Sequence, residues 1–319
     1  MIGCWIPQLN LKNGMKLRTL LFVDALATVL VAVAQAHADT LYESDVFSGS
    51  ILKFTAAGTR STFASGLNLP AGLAFDSAGN LFEADFGSDT IFELTPGGTK
   101  TIFASGLSGP IGLAFDSAGN LYEADTNSGT IFKFAPDGTK TTFATGVGTP
   151  TALAFDASGN LFESDHNQGE IFEFTPGGTK TTLASGLNGP TGLAFDSTGN
   201  LYVSNLDNGT IFKFTPGGTS SAFLSGLDGP WGLAFDSAGN LFGSLFGDNT
   251  IFKLTPDGTQ TIFASGLNGP TFLTSQSGGS VNVPEAGPGV CVFLVTMLGL
   301  FWINRLQKLK PRAQRLRQA

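Results

Sequence analysis

The chain has only two cysteines, Cys4 and Cys291, and both lie outside its repetitive body. That body has no disulfide framework and no thiol nucleophile. Histidine is as scarce. His37 precedes the expected mature start, which leaves His166 alone and rules out a histidine pair or triad in the mature chain. Basic side chains are few where the repeats lie: from Asp39 to Val283 there are 23 acidic and 8 basic residues, a net of −15 against −8 for the whole chain. Phosphate contacts need clustered Lys and Arg, so nucleic acid is excluded as a partner. No nucleophile-elbow sequence accompanies the abundant serines and threonines, which read as turn and edge residues.

What is plentiful is glycine, at 43 residues, and phenylalanine, at 29 against three tyrosines and three tryptophans. Tight turns and buried rings that need no polar partner follow from that balance. Their order is periodic. Pro70, Pro110, Pro150, Pro190, Pro230 and Pro270 recur every 40 residues, as do Asp76 through Asp236 and Gly79-Asn80 through Gly239-Asn240, without insertion or deletion. One unit from Gly72 divides into four short runs, GLAFD, LFEAD, IFELT and TKTIFAS, separated by SAGN, FGSDT and PGG. Short apolar runs between Gly, Pro, Asn and Asp are strands joined by turns. Four strands per 40-residue unit make a propeller blade, which buries its apolar faces only against neighbours.

The second-strand element occurs six times, from Leu41 to Leu241, whereas the first-strand element starts only at Gly72. The first blade therefore lacks its innermost strand. Thr271 to Ser275, which follow Pro270 where a seventh unit would begin, are expected to supply it and close the ring. The fold class is all-β: a six-bladed β-propeller over residues 39–276, four antiparallel strands per blade. The stretch from Pro110 to Asp125, PIGLAFDSAGNLYEAD, resembles the NHL repeat and the related gluconolactonase-like propellers, and the resemblance covers Leu41 to about Ser275. Members of that group include hydrolases, lyases and plain binding modules, so function must come from a site.

Positions shared by all units serve the scaffold, and individuality lies where units differ. The turns after the first and third strands share one face of a propeller and are nearly uniform here. The other two connections share the opposite face and vary, and any ligand is expected there. Residues entering the first strand include Ile111 and Trp231, and those after the second strand include Phe86, His166, Leu206 and Phe246. Trp231, the ring's one tryptophan, is a candidate stacking platform, with Leu206 and Phe246 placing an apolar patch over blades five and six. His166 has no second histidine to work with, and reads as a loop residue.

The second strand carries Glu43/Asp45, Glu83/Asp85, Glu123/Asp125 and Glu163/Asp165, then Val203/Asn205 and Gly243/Leu245. Residues two apart in a strand share a face. Asp85, Asp125, Asp165 and Asn205 could gather oxygen ligands for Ca²⁺ at the varied face; the alternative is that each carboxylate accepts from loop N–H groups in its own blade. Streptogramin-lyase-like chemistry, which resembles this fold, relies on histidine, and a gluconolactonase-like site would need Glu, Asn and Asp converging on the channel.

The two ends carry opposite features. From Met15, Lys16 and Arg18 precede an apolar stretch to Ala34 and then Ala36-His37-Ala38, the pattern of a secretory signal cleaved after Ala38; residues 1–14 are then an upstream extension. Residues 277–288 form a linker that contains Val283-Pro284-Glu285, followed by an apolar segment, 289–304, and a basic tail, 305–319. Its clean apolar part, Val290 to Ile303, spans about 21 Å as a helix, short of the ~30 Å hydrocarbon core. Motif, short apolar helix and basic terminus together resemble the PEP-CTERM sorting signal of Gram-negative bacteria, although Ala286 stands where a second proline is usual. That resemblance implies export machinery and an exosortase-like processing enzyme as partners; the alternative is a plain C-terminal membrane anchor with its basic tail in the cytoplasm. The function expected is that of a non-enzymatic surface or matrix module for a polysaccharide, peptide or protein, with a Ca²⁺-dependent lactonase or related hydrolase as the alternative.

Overall fold

The computed structural model describes residues 39–277. The expected cleavage at Ala38, the Val283-Pro284-Glu285 motif, the apolar segment and the basic tail lie outside the described residues. Among the described residues, no helix is long and apolar enough to cross a membrane.

Twenty-four strands form six four-stranded antiparallel sheets. Blade two shows the plan: Pro70–Phe75 lies innermost, followed outward by Leu81–Asp85, Thr90–Leu94 and Lys100–Ser105. Blades three to six repeat it in sequence order. Blade one is completed by the last strand, Pro270–Gln276, which pairs inside Thr40–Asp45 and closes the ring. The expected closing piece, Thr271 to Ser275, forms the middle of that strand.

The repeated residues explain the local structure. Pro70 and its counterparts open the inner strands, where a missing N–H is tolerated. In the first turn, Asp76 Oδ1 accepts from the Ala78 and Asn80 amides at 2.9 and 2.8 Å, while Gly79 takes a φ of 84°. A side chain with a Cβ would resist that conformation. The inner strands approach closely: a Cβ at Gly112 would lie 2.6 Å from Thr151 O of the next blade, so glycine fits there. A bulge between the third and fourth strands of each blade adds twist.

The core lies between blades. In blades one to five the aromatic residue after the leading leucine of the second strand meets, edge to face, the phenylalanine that ends the next inner strand: Tyr42–Phe75, Phe82–Phe115, Tyr122–Phe155, Phe162–Phe195 and Tyr202–Phe235 have ring centroids 5.0–5.1 Å apart. Such pairs contribute about 0.5–1.5 kcal/mol each beyond burial. At the closure Ser275 occupies the phenylalanine position, and its hydroxyl donates to Phe235 O at 2.6 Å. Both ends of the ring emerge at the uniform face, where Thr40 pairs with Gln276 and Asp39 accepts from the Ser237 amide.

Candidate functional site

The varied face holds a cavity of about 310 Å³ at the mouth of the ring. Trp231, Phe246, Phe86 and Ile111, four of the residues that differ between units, line it. The indole of Trp231 lies 5.7 Å from the ring of Phe246 with a 40° tilt, and Phe246 in turn lies 5.7 Å from Phe47. Leu206 and His166 do not line the cavity. The patch centres on blades six, one, two and three rather than on five and six as expected, because its wall also includes Phe47, Leu69 and the closing strand's Phe272.

Those three residues were not singled out in the sequence, although each breaks the repeat. Phe47 stands in register with Gly87, Asn127, Asn167, Asp207 and Gly247, and Phe272 with Gly72, Gly112, Ala152, Gly192 and Gly232. Leu69 is in register with Gly109, Gly189, Gly229 and Gly269, whose φ angles are 68°, 60°, 64° and 77°. Leu69 adopts the same left-handed conformation, with φ 57°. Holding a branched side chain there costs roughly 1–2 kcal/mol. The fold carries this strain at the rim of the cavity, where backbone strain is a pointer to function.

The cavity wall is almost wholly apolar. Thr271 is its one residue with a polar side chain apart from the indole, and its hydroxyl donates to Ser44 O at 3.1 Å. Trp231 Nε1 is buried without a hydrogen-bond partner.

A larger groove of about 640 Å³ opens on the uniform face between blades two and three. It is lined by Phe75, Asp76, Phe82, Phe115 and Asp116, which have counterparts in other blades, and a groove of about 240 Å³ follows at the next blade boundary. Its repetition marks it as scaffold.

The acidic residues of the second strands divide into two kinds. Asp85 Oδ2 accepts from the Asn68 amide at 2.8 Å and Oδ1 from the Ser88 amide at 3.1 Å. Asp125 accepts likewise from Ser108 and Ser128, and Asp165 Oδ1 from Thr149 and Gln168. Asn205 donates to Thr210 Oγ1 at 3.4 Å. Each aspartate stitches two connections, whereas Asn205 bonds within one, and the structure does not bring the four together. Among the described residues, no three His, Cys, Asp or Glu side chains are grouped to hold a metal ion. His166 is half-buried, with Nδ1 3.3 Å from Asn167 Oδ1.

Glu43, Glu83, Glu123 and Glu163 behave differently from the aspartates two residues on. They are fully buried, and neither carboxyl oxygen of any of them has a hydrogen-bond partner. Their cross-strand neighbours, Leu73 and Phe92 for Glu83, share the face that packs on the preceding blade. Burial, reinforced by the aspartate two residues on, raises all four pKa values, that of Glu123 to about 9; Arg60, Lys100, Lys140 and Lys180 oppose the shift. With both oxygens buried and unpartnered, these acids belong to the wall between blades.

In sequence, the NHL repeat family matches residues 187–214. No curated protein matches the chain significantly. Solved structures match at the level of fold. The virginiamycin B lyase of Staphylococcus aureus superposes with a TM-score of 0.60 at 16% identity, over 73% of this chain and 84% of that one. A chain of a nidogen/laminin complex gives 0.68 at 21% identity, over 74% and 98%. A gluconolactonase from Xanthomonas campestris gives 0.56 at 18%, over 69% and 80%. At these identities the likeness is one of architecture, shared by enzymes and by a component of a protein complex.

Proposed function

We propose that this chain is an exported, non-enzymatic binding ring that holds an apolar group of its partner in the cavity beneath Trp231. The observation that carries this reading is the convergence on one cavity of Phe47, Leu69 and Phe272, large apolar residues at positions where most other units hold glycine or a polar side chain, one of them in a strained conformation. A wall without an acid, a base or a free nucleophile suits retention rather than turnover. A volume of about 310 Å³ is at the small end of ligand pockets, enough for one or two apolar side chains. A polysaccharide, rich in hydroxyls, would find few partners on that wall, so a polypeptide is favoured.

Export and surface display rest on the sequence of the two ends. The hydrolase alternative would need Asp85, Asp125 and Asp165 to leave their loop amides and converge.

The test is binding of the neutral apolar dye N-phenyl-1-naphthylamine to the full chain. Saturable binding is expected, weakened by about tenfold or more in Trp231→Ala, a loss of at least ~1.4 kcal/mol. Equal affinity in the variant would overturn the reading.

A further inference from the structure

The connections of the varied face carry charge of one sign. The varied-face connections contain no Lys or Arg, whereas Asp89, Asp207, Asp228 and Asp248 are all exposed there. Asp89 follows Phe86 by three residues and Asp248 follows Phe246 by two, so blades two and six each place an acid just beyond a cavity-lining ring. Asp228 is drawn to the same corner, since its backbone oxygen accepts from the Gly247 amide at 3.2 Å. The ring's basic residues all begin beside the turn between the third and fourth strands. From there Arg60 and Lys100 donate to Gly266 O and Gly66 O, the first residues of two of these connections, at 3.1 and 3.3 Å. None of the ring's basic residues lines the cavity.

The acids are individual rather than structural. Asp207 stands where blades three and four have Asn127 and Asn167, and Asp228 where other connections have Asn68, Asn188 and Asn268. Asp248 stands where blade five has Asn208, and Asp89 where blade six has Asn249. The last pair shows that the fold does not need the charge. Asp89 Oδ1 accepts from the Gly109 amide at 2.9 Å with φ 54°, and Asn249 Oδ1 accepts from the Gly269 amide at 2.9 Å with φ 55°. Asparagine does the structural work equally well, and the carboxylate adds only field.

We infer that the varied face recognises a cationic polypeptide segment that presents a large apolar side chain flanked by Lys or Arg. This rests on the apolar cavity proposed above and adds the chemistry of the partner. The apolar group fills the cavity, and the flanking cations meet Asp89, Asp228 and Asp248 at its rim. Rim charges of this kind set selectivity and on-rate, and their effect is screened by salt.

The experiment uses the full chain in non-ionic detergent with Trp5 and Trp302 replaced by Phe, so that Trp231 alone fluoresces. Three capped hexapeptides with a central Phe-Leu are titrated, flanked on each side by two lysines, two glutamines or two glutamates. The lysine peptide is expected to quench or shift Trp231 emission and displace the dye with roughly tenfold higher affinity than the glutamine peptide at low salt, a preference lost in ~0.5 M salt. The glutamate peptide is expected not to bind. In the variant D89N/D207N/D228N/D248N, whose substitutions all occur naturally in other blades, the preference falls towards one while dye binding is unchanged. Equal binding of the lysine and glutamine peptides, or a preference that survives in the variant, would overturn the charge inference and leave the cavity reading standing. Dye binding without displacement by any peptide would overturn a polypeptide partner. Failure of the dye to bind would overturn the cavity reading itself.

Discussion

The ring of Phe252 occupies the space that a side chain on Gly243 would need. A Cβ there would lie 3.1 Å from Cδ1 and nearer still to Cε1 and Cζ, and Phe252 itself is fully buried. Blades one to four fill the corresponding position with glutamate and blade five with Val203. In blade six the glutamate is gone and the cross-strand phenylalanine has turned in.

Gly243→Ala is therefore expected to destabilise the ring by about 1–3 kcal/mol, the usual cost of overpacking a well-filled site. Thermal unfolding measures it. The double variant Gly243→Ala/Phe252→Leu should lose less than the sum of the two singles, because the residues touch.

The opposite change should stabilise. Glu83 is fully buried with both oxygens unpartnered, and blade five shows that valine fits the same position. Removing a buried unsatisfied polar group returns roughly 1–3 kcal/mol, so Glu83→Val should raise the melting temperature. A lower melting temperature would show that the carboxyl has a partner in solution, such as a bound water.

The same acids set a pH dependence. Burial raises the pKa of Glu123 from an ordinary 4.5 to about 9, so in that window the folded chain binds more protons than the unfolded one. Stability then falls as pH rises. Glu43, Glu83 and Glu163 shift in the same direction. Melting temperature is expected to decline between about pH 5 and pH 9, with a shallower slope in Glu123→Gln. At the acid end, burial raises the pKa of Asp196, but hydrogen bonds from Asn200 and Thr198 outweigh it and bring the value down to about 2. That contribution is present above the ordinary aspartate value of 3.8 and is lost as pH falls towards 2.

Leu69 should separate stability from binding. Replacing it with glycine, as at Gly109, relieves a left-handed leucine and should stabilise the ring by about 1 kcal/mol. It also removes part of the cavity wall, so dye affinity should fall while the melting temperature rises. Joint loss of both would place Leu69 among structural residues.

Much of the architecture was legible because repetition makes it so. The exact spacing of Pro70 to Pro270 and the recurrence of Asp76 and Gly79 follow from local turn chemistry, which acts within five residues and reads directly from sequence. The missing inner strand of blade one was visible as an absent element. The aspartates' loop bonds were legible as one of two alternatives, since an acid at the end of a strand lies beside free loop amides. Pairing Glu83 with Asp85 as a joint projection was less successful. Two residues on one face of a strand point the same way, yet Asp85 ends beside the loops while Glu83 ends between packed sheets.

By itself, then, the sequence determined what local rules can carry: the strand and turn pattern, the number of blades, the closure by residues after Pro270, and the positions where units differ. Only the tertiary structure decided which differences meet. Phe47, Leu69, Phe86, Ile111, Trp231 and Phe272 span more than two hundred residues, and their convergence depends on ring closure bringing blades six, one, two and three to a common mouth. The burial of the four glutamates was decided in the same way, because a wall between blades exists only once the blades have packed.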